Sequence, residues 1–155
     1  MNIEQLEKIL AYENDDVLSR FMDMYDMDAD EAQDIFLETK KFLYVSQLPT
    51  VFIPDDLLII DEMWHNFILF TPQYHVFCKE HFQGYFHHLP ASKKEKKERD
   101  KRRIEDPVKA KEEYLEKLKS LIETIFDHLG EETVIKWFQV YPQKYSKDAI
   151  KALRK

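Results

Sequence analysis

Glycine is nearly missing from this chain: there are two in 155 residues, beside a single cysteine and six prolines. Hairpin-rich β architectures draw on glycine for their tight turns, so its scarcity favours helices. One cysteine excludes an intrachain disulfide and any zinc site built on paired thiolates, and it suits a reducing compartment. No apolar run approaches the roughly 20 residues that span a bilayer. The amino-terminal MNIEQLEKIL lacks the basic start and long apolar core of a secretory signal. These absences lead us to expect a cytoplasmic protein without membrane association.

What is present is apolar and aromatic enough to fold: 44% of residues are hydrophobic and 14% aromatic. The length suits one all-helical domain over 1–155, with an acidic part at 1–90, a charged linker at 91–107 and carboxy-terminal helices at 108–155. Charge is divided along the chain. Residues 1–92 hold 5 Lys/Arg against 17 Asp/Glu, a balance of −12, and residues 93–155 hold 18 against 13, a balance of +5. Such a division suits a protein partner, or a surface complementary to itself. The run Lys93–Arg103 has eight basic and three acidic residues. It lacks the interleaved aromatics of a single-strand nucleic-acid site, which disfavours nucleic acid as a partner and points to a solvated linker or helix extension.

Hydrophobic spacing reads as helix almost throughout, about seven in all. Asn2 caps a first helix, with Gln5 in the capping-box position, and Asp28 with Glu31 forms a second such box. Pro54 and Asp55 open a helix that is apolar on most sides and runs to about Phe70, which predicts burial. Thr71-Pro72 starts another over 72–82, with Gly84 at its end, and Tyr85 to Pro90 reads as extended. Beyond Pro107 a long amphipathic helix ends at Gly130, and a further helical face carrying Val134, Trp137, Phe138 and Tyr141 ends at Pro142. Asp26, Asp28 and Asp30 mimic the start of a calcium loop. Glu31 in its glycine position and Leu37 in its bidentate position argue for a turn and a cap instead.

Five of the six histidines and the lone thiol fall within Asp61–Pro90. Asp61 and His65 are four residues apart on one helical face, so the carboxylate can orient one imidazole nitrogen and leave the other as a ligand or base. If Thr71-Pro72 joins two antiparallel helices, His65 and Cys78 lie at similar height and face one another. His87 and His88 alternate sides of an extended segment, so one of them points inward. Three readings stay open. His65, Cys78 and one of His87 or His88 hold zinc or iron, with Asp61 as ligand or orienting group and Trp64 and Tyr74 lining the pocket. Alternatively Cys78 is a nucleophile activated by a histidine, or it is a small core residue within a purely structural cluster.

The pattern D-x-x-W-H-x-F-I-L-F-T-x-x-Y-x-x-F-C, from Asp61 to Cys78, followed by His87-His88-x-Pro90, resembles the bacterial branch of the glycine-rich domain-containing protein-like family. That resemblance implies an all-helical domain with a shared His/Tyr/Cys cluster, and no particular reaction. Gln83 stands between Phe82 and Gly84 where the resemblance would place glycine directly after phenylalanine. The functional expectation is a small protein whose His/Cys pocket holds a transition metal. Its rival is a non-enzymatic interaction or adaptor module in which the cluster is structural.

Overall fold

A computed structural model describes all 155 residues as nine helices, not the seven or so expected, and no strand. Six of the nine helices open on a side-chain acceptor that faces an otherwise unpaired N–H. Asn2 accepts from Gln5 at 2.8 Å to open α1 (Ile3–Ala11), and Asn14 accepts from Val17 at 3.2 Å to open α2 (Asp15–Met24). Asp28 accepts from Glu31 at 2.8 Å to open α3 (Ala29–Val45). Both expected capping boxes are only half made. The Gln5 amide is drawn instead to Gln47 and to the His81 carbonyl, and Glu31 accepts from the Tyr145 hydroxyl. A long-range partner has won over the local one in each case.

After a 3-10 turn at Asp55–Leu57 comes α4 (Leu58–Ile68), then α5 (Thr71–Phe82) with its proline in the first turn. The helix α4 buries Ile59, Ile60, Met63, Trp64, Asn66 and Phe67, in line with its apolar circumference. Asn66 is satisfied there: it accepts from Arg20 at 2.7 Å and donates to the Val17 carbonyl at 2.8 Å, tying α4 to α2. The left-handed residue that ends α5 is Gln83, at φ 59°, and not Gly84. The helix therefore ends one position before the glycine expected to stop it.

The charged stretch, expected as a solvated linker or a helix extension, is a helix, α6 (Lys93–Glu105), opened by a complete capping box at Ser92 and Glu95. It buries no side chain. The next helix, α7 (Pro107–Leu129), buries only Leu121 and Ile125, in its second half, so α6 and the start of α7 form an exposed helical hairpin. Gly130, at φ 89°, ends α7 where the sequence placed the stop. Pro142 does not end α8. This helix begins at Glu131–Ile135, widens into a π turn over Lys136–Val140 and continues through Tyr141–Lys144. Tyr141 N–H bonds to the Lys136 carbonyl in that wide turn, which makes room for a ring that would collide with an ordinary α turn. The last helix, α9 (Lys147–Leu153), follows a Ser146 cap.

The carboxy-terminal helices are clasped to α3 by a row of carboxylates. Glu31, Asp34 and Glu38 lie on one face at i, i+3 and i+7 and accept from Tyr145 (2.7 Å), Tyr141 (3.1 Å) and the Trp137 indole (2.6 Å). Lys136 bridges Asp34 at 2.6 Å and Glu38 at 3.2 Å. Glu38 is 1% exposed, so its carboxylate rests on these donors and on Lys41. One buried apolar cluster runs from Ile9 through α3, α4 and α5 to Tyr145. No helix is long and apolar enough to cross a membrane.

Candidate metal centre

The apolar run of α4 sets the floor of the site. With Ile60 and Trp64 turned into the core, Asp61 and His65 take the adjoining, more open face. His65 is more exposed than the sequence suggested: 54% of its side chain is open, against 24% for Asp61. Across from them the return segment after α5 alternates as an extended chain does. Phe86 and His88 turn inward, while Tyr85, His87 and Leu89 turn out. His88 lies flat on the Trp64 indole, with ring centres 4.0 Å apart and 9° between planes, and Phe86 packs against the same indole at 5.9 Å.

A hydrogen-bond relay holds this segment in place. The Trp64 indole N–H donates to the Tyr74 hydroxyl at 3.0 Å, which donates to the Phe86 carbonyl at 2.6 Å. Trp64 and Tyr74 are thus the residues that meet across the α4–α5 pair, not His65 and Cys78. The relay fixes Phe86 and thereby sets the height of His88 two residues later.

His88 Nε2 comes to 2.8 Å from Asp61 Oδ1, and His65 Nδ1 to 3.6 Å from Asp61 Oδ2. The two imidazoles lie 4.4 Å apart, and one ligand atom from each of Asp61, His65 and His88 fits within a 4.8 Å span. The His88 Nε2 atom is shielded from solvent and lacks a well-formed hydrogen bond, although Asp61 Oδ1 lies 2.8 Å away. The contact brings two potential metal-ligand atoms together. A buried nitrogen left without a partner costs on the order of 1–3 kcal/mol. A cation held between it and the carboxylate would remove that cost.

Cys78 lies outside this group. It is fully buried on the inner face of α5. Burial pushes its thiol up from the ordinary range, while the Phe86 backbone and the Tyr74 hydroxyl beside the sulfur pull the other way. A buried, protonated thiol is a poor nucleophile and a poor ligand at neutral pH. The physical reason for the displacement is rotation about the helix. Equal height along an antiparallel pair does not guarantee a shared face, and His65 points outward where Cys78 points in. His87 is exposed against Tyr85 at 4.7 Å, and His75 is exposed beside the same ring. His81 packs on Phe77 at 4.8 Å, where burial lowers its pKa from the ordinary value. The part played by Phe86 was missed in the sequence, although the i, i+2 spacing of Phe86 and His88 in an extended segment carried the signal.

The chain belongs to the UCP032817-like family, an uncharacterised family whose profile matches residues 5–121. The match spans α1 to most of α7 and includes Asp61, His65 and His88. It overturns the resemblance to the glycine-rich domain-containing protein-like family that the Asp61–Pro90 motif suggested. No curated protein matches the chain, and no solved structure does.

Proposed function

We propose that this protein binds a divalent transition metal, zinc or iron(II), through Asp61 Oδ, His65 Nδ1 and His88 Nε2. The observation that carries the reading is the buried, unpartnered His88 nitrogen 2.8 Å from a carboxylate oxygen. Two imidazoles and one carboxylate suit zinc or iron(II), and three protein ligands leave a coordination position for water or a small molecule. The exposed side of His65 is where that position would open. A metal held there supplies Lewis acidity, and the Trp64 indole under His88 excludes water from one side. Cys78 and His87 are left out of the ligand set.

The test is metal content and zinc titration of protein purified without an affinity tag. We expect about one metal per chain, with His88→Ala and Asp61→Asn each weakening zinc by about tenfold or more. Cys78→Ser and His75→Ala should leave it unchanged. Less than about 0.1 metal per chain, together with no saturable uptake of added zinc, would overturn the reading. The second reading is a non-enzymatic interaction module in which Asp61, His65 and His88 serve only to dock the return segment. It is favoured by the Trp64–Tyr74–Phe86 relay, which performs that docking with no ion.

A further inference from the structure

A concavity of about 1010 Å³ lies between the 49–55 segment and the exposed hairpin of α6 and α7. It shares no residue with the metal centre and does not depend on it. One wall is a single face of α7, from Pro107 through Lys111, Tyr114 and Lys117 to Ser120, and Arg99 and Arg103 of α6 stand at its edge. Arg99 and Arg103 are one helical turn apart and so project together. None of these four cations has a carboxylate within 4.0 Å: Arg99, Arg103, Lys111 and Lys117 are all unpaired. Asp55 is the one acid among the lining residues. A row of unpaired cations beside an amino-terminal part with a balance of −12 is a local reversal of field.

The opposite wall is apolar and lacks regular structure. Phe52 stands edge-on to Tyr114 at 6.4 Å, flanked by Val51 and Ile53. Pro54 is extended (φ −80°, ψ 165°) and restricts Ile53 to extended geometry as well. The backbone N–H groups of Phe52 and Ile53 make no hydrogen bond within the protein, and neither do their carbonyls. Extended backbone with free donors and acceptors can pair with another extended chain. The lining face of α7 spans fourteen residues, roughly 20 Å at about 1.5 Å rise per residue, which is about six residues of extended peptide.

We propose that this groove binds an extended acidic peptide segment of a partner protein. An extended peptide presents alternate side chains to opposite sides, so acidic residues meet the α6–α7 cations while apolar residues meet Phe52 and Tyr114. Its backbone pairs with whichever of Phe52 and Ile53 turns its free N–H and carbonyl toward the groove, since adjacent residues of an extended chain face opposite edges. A nucleic acid carries the same charge but fits less well. The two rings engage each other edge-on and are not spaced as separate stacking platforms, and a longer polyanion would run on to Asp55 and Asp56.

Fluorescence anisotropy with a fluorescein-labelled ten-residue peptide alternating glutamate and valine tests the proposal. We expect saturable binding by the full chain that weakens about tenfold in Arg99→Glu/Lys111→Glu and falls as salt rises from about 0.05 to 0.5 M. Phe52→Ala should weaken it too. Methylating one alternating set of peptide nitrogens should abolish binding, and methylating the other set should not. Any of four results would overturn the proposal: no saturable signal, equal binding of a lysine–valine peptide, tighter binding of ten-nucleotide oligothymidine, or indifference to both methylation patterns. These cations are exposed, so the variants should fold. Circular dichroism checks this, and Arg103→Gln/Lys117→Gln repeats the test should the first pair fail.

Discussion

Replacing Lys40 with methionine should reveal how a buried lysine shapes the stability of this fold. Lys40 is 4% exposed and donates to the carbonyls of Leu10 (2.8 Å) and Tyr12 (2.6 Å), closing the carboxy-terminal end of α1. Burial lowers its pKa from the ordinary 10.5 to about 8, with the Glu13 carboxylate opposing. At pH 7 folded and unfolded chains both hold the proton, and the ammonium's burial costs the fold about 3 kcal/mol at about 1.4 kcal/mol per decade. Removing it relieves that cost but leaves two helix-end carbonyls without their donor, at roughly 1–2 kcal/mol each. The two effects nearly cancel, so Lys40→Met should lie within about 1 kcal/mol of wild type at pH 7.

Raising the pH separates them. Above pH 8 the folded chain releases the Lys40 proton while the unfolded chain keeps it, so stability rises with pH. Between pH 7 and 9.5 the gain is about 2 kcal/mol, and Lys40→Met lacks it. Urea denaturation followed by the fluorescence of the buried Trp64 and Trp137 gives both stabilities at each pH. Taking the difference between the two proteins cancels every other titrating group. A difference that stays flat to within about 0.5 kcal/mol across that range would refute the placement of a charged lysine in this interior.

Gln83→Gly should raise stability by about 0.5–1 kcal/mol, because a left-handed φ of 59° strains any residue with a Cβ. Gly84→Ala should change little, since an added Cβ meets nothing within 4 Å there. A destabilised Gln83→Gly in thermal melts would show that the amide side chain matters more than the backbone. Above pH 10 the fold should weaken steeply. Burial pushes the phenols of Tyr74, Tyr141 and Tyr145 well above their ordinary 10, and burial with the Glu62 carboxylate pushes Tyr25 to about 12. Their contribution is complete below pH 10. It is lost as the unfolded chain ionises first, by up to about 1.4 kcal/mol per phenol per pH unit. A urea midpoint unchanged from pH 9.5 to 11 would contradict this.

Much of the helical plan was legible in local chemistry. Asn2, Asp28 and Ser146 each sit three residues before the N–H they cap, and Pro107 and Gly130 bracket α7 as first-turn proline and stop glycine. The differences came where a local signal allowed a second local outcome. The charges of Lys93–Arg103 read as a solvated linker or a helix extension, and the capping box of Ser92 and Glu95 decides for a helix that needs no burial. Pro142 read as a stop, yet the π turn before it absorbs the ring. In the site, the i, i+4 spacing of Asp61 and His65 and the alternation of His87 and His88 could be read directly. Cys78 could not be placed, because its direction depends on how far α5 is rotated against α4.

The sequence by itself determined the helical class, most of the helix boundaries, and the concentration of ligand-type side chains in thirty residues. These follow from interactions over a few residues: caps, turns and apolar period. The tertiary structure alone decided which of those side chains meet. The Trp64–Tyr74–Phe86 relay brings His88 over the indole and onto Asp61, while the rotation of α5 buries the thiol away from them. The groove at α7 arose in the same way. Lys111, Tyr114 and Lys117 lie some sixty residues from Phe52, and only packing places an aromatic and apolar wall opposite those cations. Convergence of this kind depends on the relative rotation and height of whole helices, which the entire core sets and no short segment encodes.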